Sequence, residues 1–244
     1  MGKNMVKEHG HQLSDTINVM MQIFIGFEKQ RANVAEVCTR SIRHWNNIDI
    51  GYINTDLIPG WTRKKLPDQA TNHSFARFLV PYLSNYKGYS IFMDDDFIVE
   101  CDLTKTLQYI NENLSVSVVQ HNYTPKSTVK VAFATNPGEK FNIVQKTYPR
   151  KNWSSFMLFN NSHKDCKKLT LDYVNTASAK ELMEFEWTNF IGKLPIEYNF
   201  LIEEYVPIDK IKCYHYTLGG PWIKEKENCQ YSEVWKKYDF NRRD

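Results

Sequence analysis

Short apolar runs alternate along the chain with stretches whose apolar residues recur every three to four positions. The segments Gln22-Ile23-Phe24-Ile25-Gly26-Phe27, Ile48-Asp49-Ile50-Gly51-Tyr52-Ile53 and Tyr89-Ser90-Ile91-Phe92-Met93 read as buried strands, as do Phe97-Ile98-Val99, Val116–Gln120 and Phe156-Met157-Leu158-Phe159. Between the first two, Val34, Val37, Cys38, Ser41, Ile42 and Trp45 fall at helical spacing and predict a helix over roughly 31–46. Ser74 is placed to cap a helix over 75–85 whose inner face is Phe75, Phe78, Leu79 and Tyr82. Asp102 is placed to cap one over 103–113, and Leu169–Val174 and Ala177–Met183 look helical. Strands alternating with helices predict a single α/β domain, a mostly parallel sheet flanked by helices. The domain is expected over 19–225. A polar lead-in, 1–18, carries His9 and His11; a charged, aromatic segment, 226–244, packs on the domain through Tyr231, Trp235 and Tyr238. The Pro, Gly and Lys content of 56–68 predicts a loop. Pro125, Pro137 and Gly138 make 122–147 read as an irregular excursion beside a site.

One place breaks this pattern. Asp94-Asp95-Asp96 stands between two apolar strands, where core packing gives no reason for three mutually repelling carboxylates. A divalent cation does, because hard oxygen ligands suit Mg²⁺ or Mn²⁺. In an extended backbone Asp94 and Asp96 point to one side and Asp95 to the other, so one face offers two carboxylates to one ion. Open α/β sheets bind ligands beyond the carboxyl ends of their strands, which is where the triplet falls.

Composition narrows the class. The chain has 244 residues, 42% hydrophobic and 14% aromatic, enough for one sizeable core. Its net charge of +3, from 31 basic and 28 acidic residues, is too balanced to argue for nucleic acid. Five scattered cysteines, Cys38, Cys101, Cys166, Cys213 and Cys229, lack the CxxC spacing of a zinc site and read as free thiols of a reducing compartment. No apolar stretch approaches the ~20 residues that span a bilayer, and 1–16 carry no signal-like apolar core. The expected location is the cytoplasm, or the host cytoplasm for a viral source.

Four elements in order carry a resemblance: Ile25-Gly26-Phe27 closing the first strand; the helix with Phe75-Ala76-Arg77-Phe78-Leu79-Val80-Pro81-Tyr82; the acidic triplet; and His215-Tyr216-Thr217-Leu218-Gly219-Gly220-Pro221-Trp222. Over roughly 22–225 the chain resembles glycosyltransferase family 8, retaining enzymes of the GT-A fold with a DxD-type motif. Tyr148–Asn160 and Leu194-Pro195-Ile196-Glu197-Tyr198-Asn199 fit the same pattern. The resemblance implies a Mn²⁺ (or Mg²⁺) ion held by Asp94, Asp96 and His215, and a nucleotide diphosphate donor such as a UDP-sugar. It implies that Asp95 bonds the ribose or donor sugar and that Arg77 reaches the donor sugar or phosphate. It further implies donor contacts from Ile25, Gly26, Phe27, Gly219, Gly220, Trp222 and Lys224.

The chain departs from the family at three points. Gly220 stands where a diphosphate-binding lysine usually precedes Pro-Trp, and the spacing from His215 is one residue shorter. Lys224, Arg150 and Lys151 are the candidates to replace that lysine. The strand opening reads Trp153-Ser154-Ser155. The acidic segment of the sugar pocket reads Glu184-Phe185-Glu186-Trp187, with Glu186 the residue expected to meet donor or acceptor.

The expected reaction moves a hexose or pentose from the nucleotide to an acceptor hydroxyl, on a glycan or another acceptor. Asp95, Glu186 and Arg77 are the expected catalytic group. Trp61, Trp153, Trp187 and Trp222 are available to stack on sugar or uracil. A modified base in viral DNA is an alternative acceptor, for which Arg63-Lys64-Lys65 is a basic run, though a short one. A metal-dependent phosphoesterase or nucleotidyltransferase is a rival reading, though a two-metal site wants more convergent carboxylates than follow Asp102. A non-catalytic binding module is the other.

Overall fold

The computed structural model describes residues 21–65, 69, 71–127, 129–133, 140–144 and 148–240. The lead-in 1–18, with His9 and His11, lies outside them, as do Pro137, Gly138 and 241–244.

Six strands form the central sheet: β1 (Met21–Gly26), β2 (Asp49–Ile53), β3 (Tyr89–Met93), β5 (Val116–Val119), β8 (Phe156–Asn160) and β9 (Ile191–Leu194). Their order is β2-β1-β3-β8-β5-β9. The β1–β2, β1–β3 and β5–β9 pairs are parallel, and β8 runs antiparallel to both β3 and β5. The sheet is mostly parallel, as expected, with one reversed strand at its centre. Alternation along the strands sorts the core. Phe24, Phe92, Met157 and Phe159 face one layer with Phe75, Phe78 and Leu79, while Ile23, Ile25, Ile91, Met93 and Leu158 face the other with Cys38 and Ile42.

The helix α1 (Ala32–Trp45) matches its predicted span and covers that second face. Its other flank, Val34 and Val37, packs with Trp235 and Tyr238 of the chain's end, which carries α6 (Ser232–Lys236). Beyond β3 the chain leaves the main sheet. Strands β4 (Phe97–Val99), β10 (Phe200–Leu201) and β11 (Cys213–His215) make a second sheet in the order β10-β11-β4. The five cysteines are free thiols. Among the described residues, no helix is long and apolar enough to cross a membrane.

Four local expectations change. The helix at 75–85 is broken into α2 (His73–Ala76), a 3-10 turn (Arg77–Leu79) and α3 (Val80–Leu83), where Pro81 has no N–H to continue a ladder. Ser74 is not its cap; it lies inside α2 and its Oγ donates to the Thr71 carbonyl. Asp102 does cap, accepting from the Thr104 N–H, but the segment is a 3-10 helix over Leu103–Tyr109. The 122–147 excursion holds a hairpin, β6 (Val129–Phe133) against β7 (Lys140–Val144). Further on, α4 (Leu171–Thr176) and α5 (Ala179–Met183) begin two residues later than predicted, because Thr170 and Ser178 cap them. Ser178 and Glu181 form a capping box.

Candidate functional site

The acidic triplet is a turn rather than an extended segment. Its backbone must pass from β3 in the central sheet to β4 in the small one, which bends the chain at Asp95 and Asp96. Asp94 N–H donates to the Ser155 carbonyl at 3.0 Å, and the Asp96 carbonyl accepts from Tyr216 N–H at 3.0 Å. Those two bonds fix both ends of the turn. Because β11 pairs antiparallel with β4, His215 falls opposite Phe97, one residue after the triplet. The two rings stack at 4.3 Å, and His215 Nε2 lies 3.3 Å from Asp96 Oδ1. Ligand atoms of Asp94, Asp96 and His215 all lie within 4.8 Å of one another. Asn199 Oδ1, 2.9 Å from His215 Nδ1, holds the imidazole so that Nε2 is the nitrogen presented to the carboxylates.

Two buried arginines offset the acids. Arg77 grips Asp94 with Nη2 at 2.8 Å from Oδ1 and Nη1 at 3.4 Å from Oδ2, while Nη1 also donates to the Ser154 carbonyl at 2.8 Å. Burial pushes the Asp94 carboxyl up, but Arg77 and His73 outweigh it and hold the group below the usual carboxylate range. Arg31 Nη2 lies 2.7 Å from Asp95 Oδ1 and 3.6 Å from Asp96 Oδ2. Asp95 is 1% exposed, and burial lifts its carboxyl to about 7 against the pull of Arg31. Asp95 is thus fixed to Arg31 by one oxygen, and its Oδ2 makes no hydrogen bond among the described residues.

These side chains line one cleft of about 780 Å³, its open mouth included. Arg31, His73, Arg77, the triplet and His215 form its polar floor; Tyr148, Asn152, Met183, Gly219 and Trp222 are among its walls. Gly219 has φ 92°, a left-handed conformation in which a side chain is strained. Other expected site residues stand elsewhere. Ile25 is fully buried in β1, and Phe27 packs on the Tyr52 ring. Gly220 lies under the Trp222 ring. Glu186 is on the surface, paired with Lys180 at 2.6 Å, because the chain turns at Phe185 (φ 58°) to bury that phenyl ring against Phe78 and Trp187. Lys224 is exposed in the 3-10 turn Lys224–Lys226. Arg150 reaches the Glu184 carbonyl, and Lys151 is buried with its pKa lowered by desolvation; neither lines the cleft. Of the four tryptophans expected to stack, Trp222 alone lines it; Trp187 is in the core, and Trp61 and Trp153 pack against it.

Three site residues escape a reading of the sequence: Arg31, His73 and Asn199. Asn199 lies inside a segment that fits the family pattern, but nothing in its type marks it. His73 is 1% exposed, lines the cleft and has Nε2 3.5 Å from Asp94 Oδ1, longer than a good hydrogen bond. Neither of its ring nitrogens has a hydrogen-bond partner among the described residues. Its position explains Gly26: a Cβ there would sit 2.4 Å from the imidazole. Gly26→Ala is therefore expected to cost about 1–3 kcal/mol of stability as His73 is pushed toward Asp94. Thermal melting checks this, and an unchanged midpoint would show that His73 has room to move.

Sequence comparison supplies a relative. Protein CDI of Arabidopsis thaliana is 34% identical over 226 residues, 88% of this chain and 84% of its own. The chain belongs to the family of Protein CDI. No protein-family model matches it. Among solved structures, this family member is similar to the glycosyltransferase GlyE of Streptococcus pneumoniae TIGR4, with 16% identity and a TM-score of 0.56. It covers 90% of this chain but only 60% of the GlyE chain. The bifunctional glycosyltransferase WbbM gives 16% identity and a TM-score of 0.62 over 91% of this chain and 50% of its own. The galactosyltransferase LgtC, solved with donor and acceptor sugar analogues, gives 12% and 0.50 over 91% and 96%. The chain thus spans 60% and 50% of two of these neighbours and nearly all of the third. At such identities the likeness establishes the fold, which is that of GT-A glycosyltransferases.

Proposed function

We propose that this protein is a metal-dependent, retaining glycosyltransferase of the family 8 type. It moves a hexosyl or pentosyl group from a UDP-sugar to an acceptor hydroxyl. The observation that carries the reading is the convergence of Asp94, Asp96 and His215, within 4.8 Å of one another, in the cleft at the carboxyl end of β3. Two atoms that each lie ~2.2–2.4 Å from one ion are at most ~4.8 Å apart, so the set fits a single cation. Imidazole beside two carboxylates suits Mn²⁺, with Mg²⁺ the alternative. Bound there, such an ion supplies charge compensation to a leaving diphosphate.

The chain's own residues do the rest. Arg77 locks Asp94 with a fork of donors, and Asn199 sets the His215 ring. Asp95 Oδ2, without a hydrogen-bond partner among the described residues, is the acceptor for a ribose or sugar hydroxyl. Met183, Trp222 and Ile223 supply apolar wall that limits water, which would otherwise hydrolyse the donor. Among the described residues, no carboxylate outside the triplet lines the cleft. Without a protein base, the leaving phosphate oxygen takes the acceptor's proton on the same face of the sugar, which retains the anomeric configuration. Asp94, Asp96 and His215 are the proposed ligands, and Arg77 and Asp95 the proposed donor contacts.

An acceptor glycan or another small hydroxyl acceptor suits this surface better than modified DNA. Arg63 is spent on the Val174 and Ala177 carbonyls and on the Phe75 ring, which leaves the basic run with two lysines. A panel of nucleotide sugars with Mn²⁺ tests the reading, with the product anomer assigned by NMR. Turnover of a UDP-sugar with retention is expected; an inverted product would remove the mechanism, and no turnover or binding across the panel would remove the function. Asn199→Ala is expected to weaken Mn²⁺ binding by about 10–100-fold, the usual cost of losing an orienting partner of a ligand imidazole. Calorimetric titration with Mn²⁺ alone measures it, and an unaltered affinity would place the ion away from His215.

A further inference from the structure

Arg31 is a buried cation with donors to spare. It ends the 3-10 turn Lys29–Arg31, is 9% exposed and lies beneath the Trp222 ring at 5.8 Å. Arg77 meets both oxygens of Asp94 and a backbone carbonyl. Arg31 has one close contact, Nη2 to Asp95 at 2.7 Å, and its Nε and Nη2 make no well-aligned hydrogen bond among the described residues. A guanidinium has five N–H donors, and taking it out of water is costly unless oxygens replace the water. The carboxylates beside it balance its charge without using those donors. Its unmet need is for further anionic oxygens arriving from the cleft that it lines.

The loop across the cleft offers an anion no cation. Thr217, Gly219, Trp222 and Ile223 line that side without a cationic group, Gly220 has no side chain, and Lys224 points to solvent. A ligand carrying a diphosphate would meet no other uncommitted guanidinium or ammonium group among the described lining residues.

We propose that Arg31 is the residue that contacts the diphosphate of the donor, held ready by Asp95 and roofed by Trp222. The assignment rests on the nucleotide-sugar reading of the cleft. A planar fork of donors suits phosphate oxygens in two-point contact, which a lysine provides only as a point charge.

The test is calorimetry on the full chain with three probes: Mn²⁺ alone, inorganic pyrophosphate with Mn²⁺, and UDP with Mn²⁺. Arg31→Gln should weaken UDP and pyrophosphate by at least thirtyfold, and Arg31→Lys should recover part of the loss. Mn²⁺ alone should bind Arg31→Gln as well as or better than the parent, because a positive charge has left the vicinity of Asp96. A purely structural role predicts the opposite, with Mn²⁺ affinity falling alongside that of UDP, and that result would overturn the proposal. So would unchanged UDP affinity. Should Arg31→Gln fail to fold because Asp95 is left unpaired, Arg31→Gln/Asp95→Asn removes both charges and is compared with Asp95→Asn alone on the same probes. If the parent binds Mn²⁺ but neither pyrophosphate nor UDP, the nucleotide-sugar reading falls and takes this assignment with it. If the parent binds both and Arg31→Gln binds them equally, the assignment alone falls.

Discussion

Turnover by the Asp96→Ala protein is expected to fall by about three orders of magnitude while its fold survives, roughly 4 kcal/mol of lost transition-state stabilisation. The stability half of this result follows from the neighbours of the carboxylate. Asp96 raises the pKa of both Asp94 and Asp95, so its charge repels theirs in the cation-free protein. The contacts it gives up include long ones, 3.6 Å to Arg31 and 3.3 Å to His215 Nε2, and Asp95 keeps Arg31 paired at 2.7 Å while Asn199 keeps His215 at 2.9 Å. What holds the turn in place is the Asp96 carbonyl, which accepts from Tyr216 and is untouched by the substitution. The melting midpoint without metal is therefore expected to hold or rise. The activity half follows from the proposed ligand set, which loses one of its two carboxylates. A midpoint that drops by many degrees would make Asp96 a structural residue. Turnover near the parent's would put the cation somewhere other than between Asp94, Asp96 and His215.

The residues that the sequence makes legible are those whose chemistry clashes with their surroundings. Three acids between Met93 and Phe97 cannot be explained by packing, and His215 acquires meaning from the Gly-Gly-Pro-Trp that follows it. Arg31 and His73 send no such signal. An arginine at the start of a helix and a histidine before an apolar helix face are ordinary by local pattern. Their importance comes from contacts across the fold: Arg31 to Asp95, and His73 to both Asp94 and Gly26. Element positions are readable from period and composition at α1 and at β1, β2, β3, β4, β5 and β8, but not at β9, β10 and β11, and the direction of β8 is not readable either, because pairing sense leaves no mark on a fully buried strand. The hairpin is a different kind of failure. Val129, Val131 and Phe133 alternate as a strand should, and the prolines and glycine around them read more strongly as loop. The extended triplet fails because β3 and β4 look like one interrupted strand in sequence and lie in two sheets in space. Glu186 stands apart from the cleft for a local reason, the demand of Phe185 for the core.

UDP is expected to bind at least a hundredfold more tightly with Mn²⁺ than with a chelator, a difference of about 2.8 kcal/mol. The sign comes from the fixed charges of the cleft. With Asp95 ionised, three carboxylates face two guanidinium groups, which leaves one negative charge in excess where the diphosphate must lie. The imidazoles do not reverse this while neutral. An anionic ligand entering the cation-free cleft meets like charge at short range in a partly buried setting, where screening by water is weak. One divalent cation on Asp94, Asp96 and His215 turns the excess to a single positive charge and gives the phosphate oxygens a direct partner. Arg31 then acts with the ion on the phosphate oxygens while keeping its contact with Asp95. Titration of UDP calorimetrically in matched buffers, with Mn²⁺ and with EDTA, measures the difference, and a parallel Mg²⁺ titration ranks the two ions. Equal affinity in the two buffers would mean that the arginines alone carry the diphosphate and that the three ligands serve some other purpose. Affinity higher in EDTA would mean that the nucleotide binds outside this cleft.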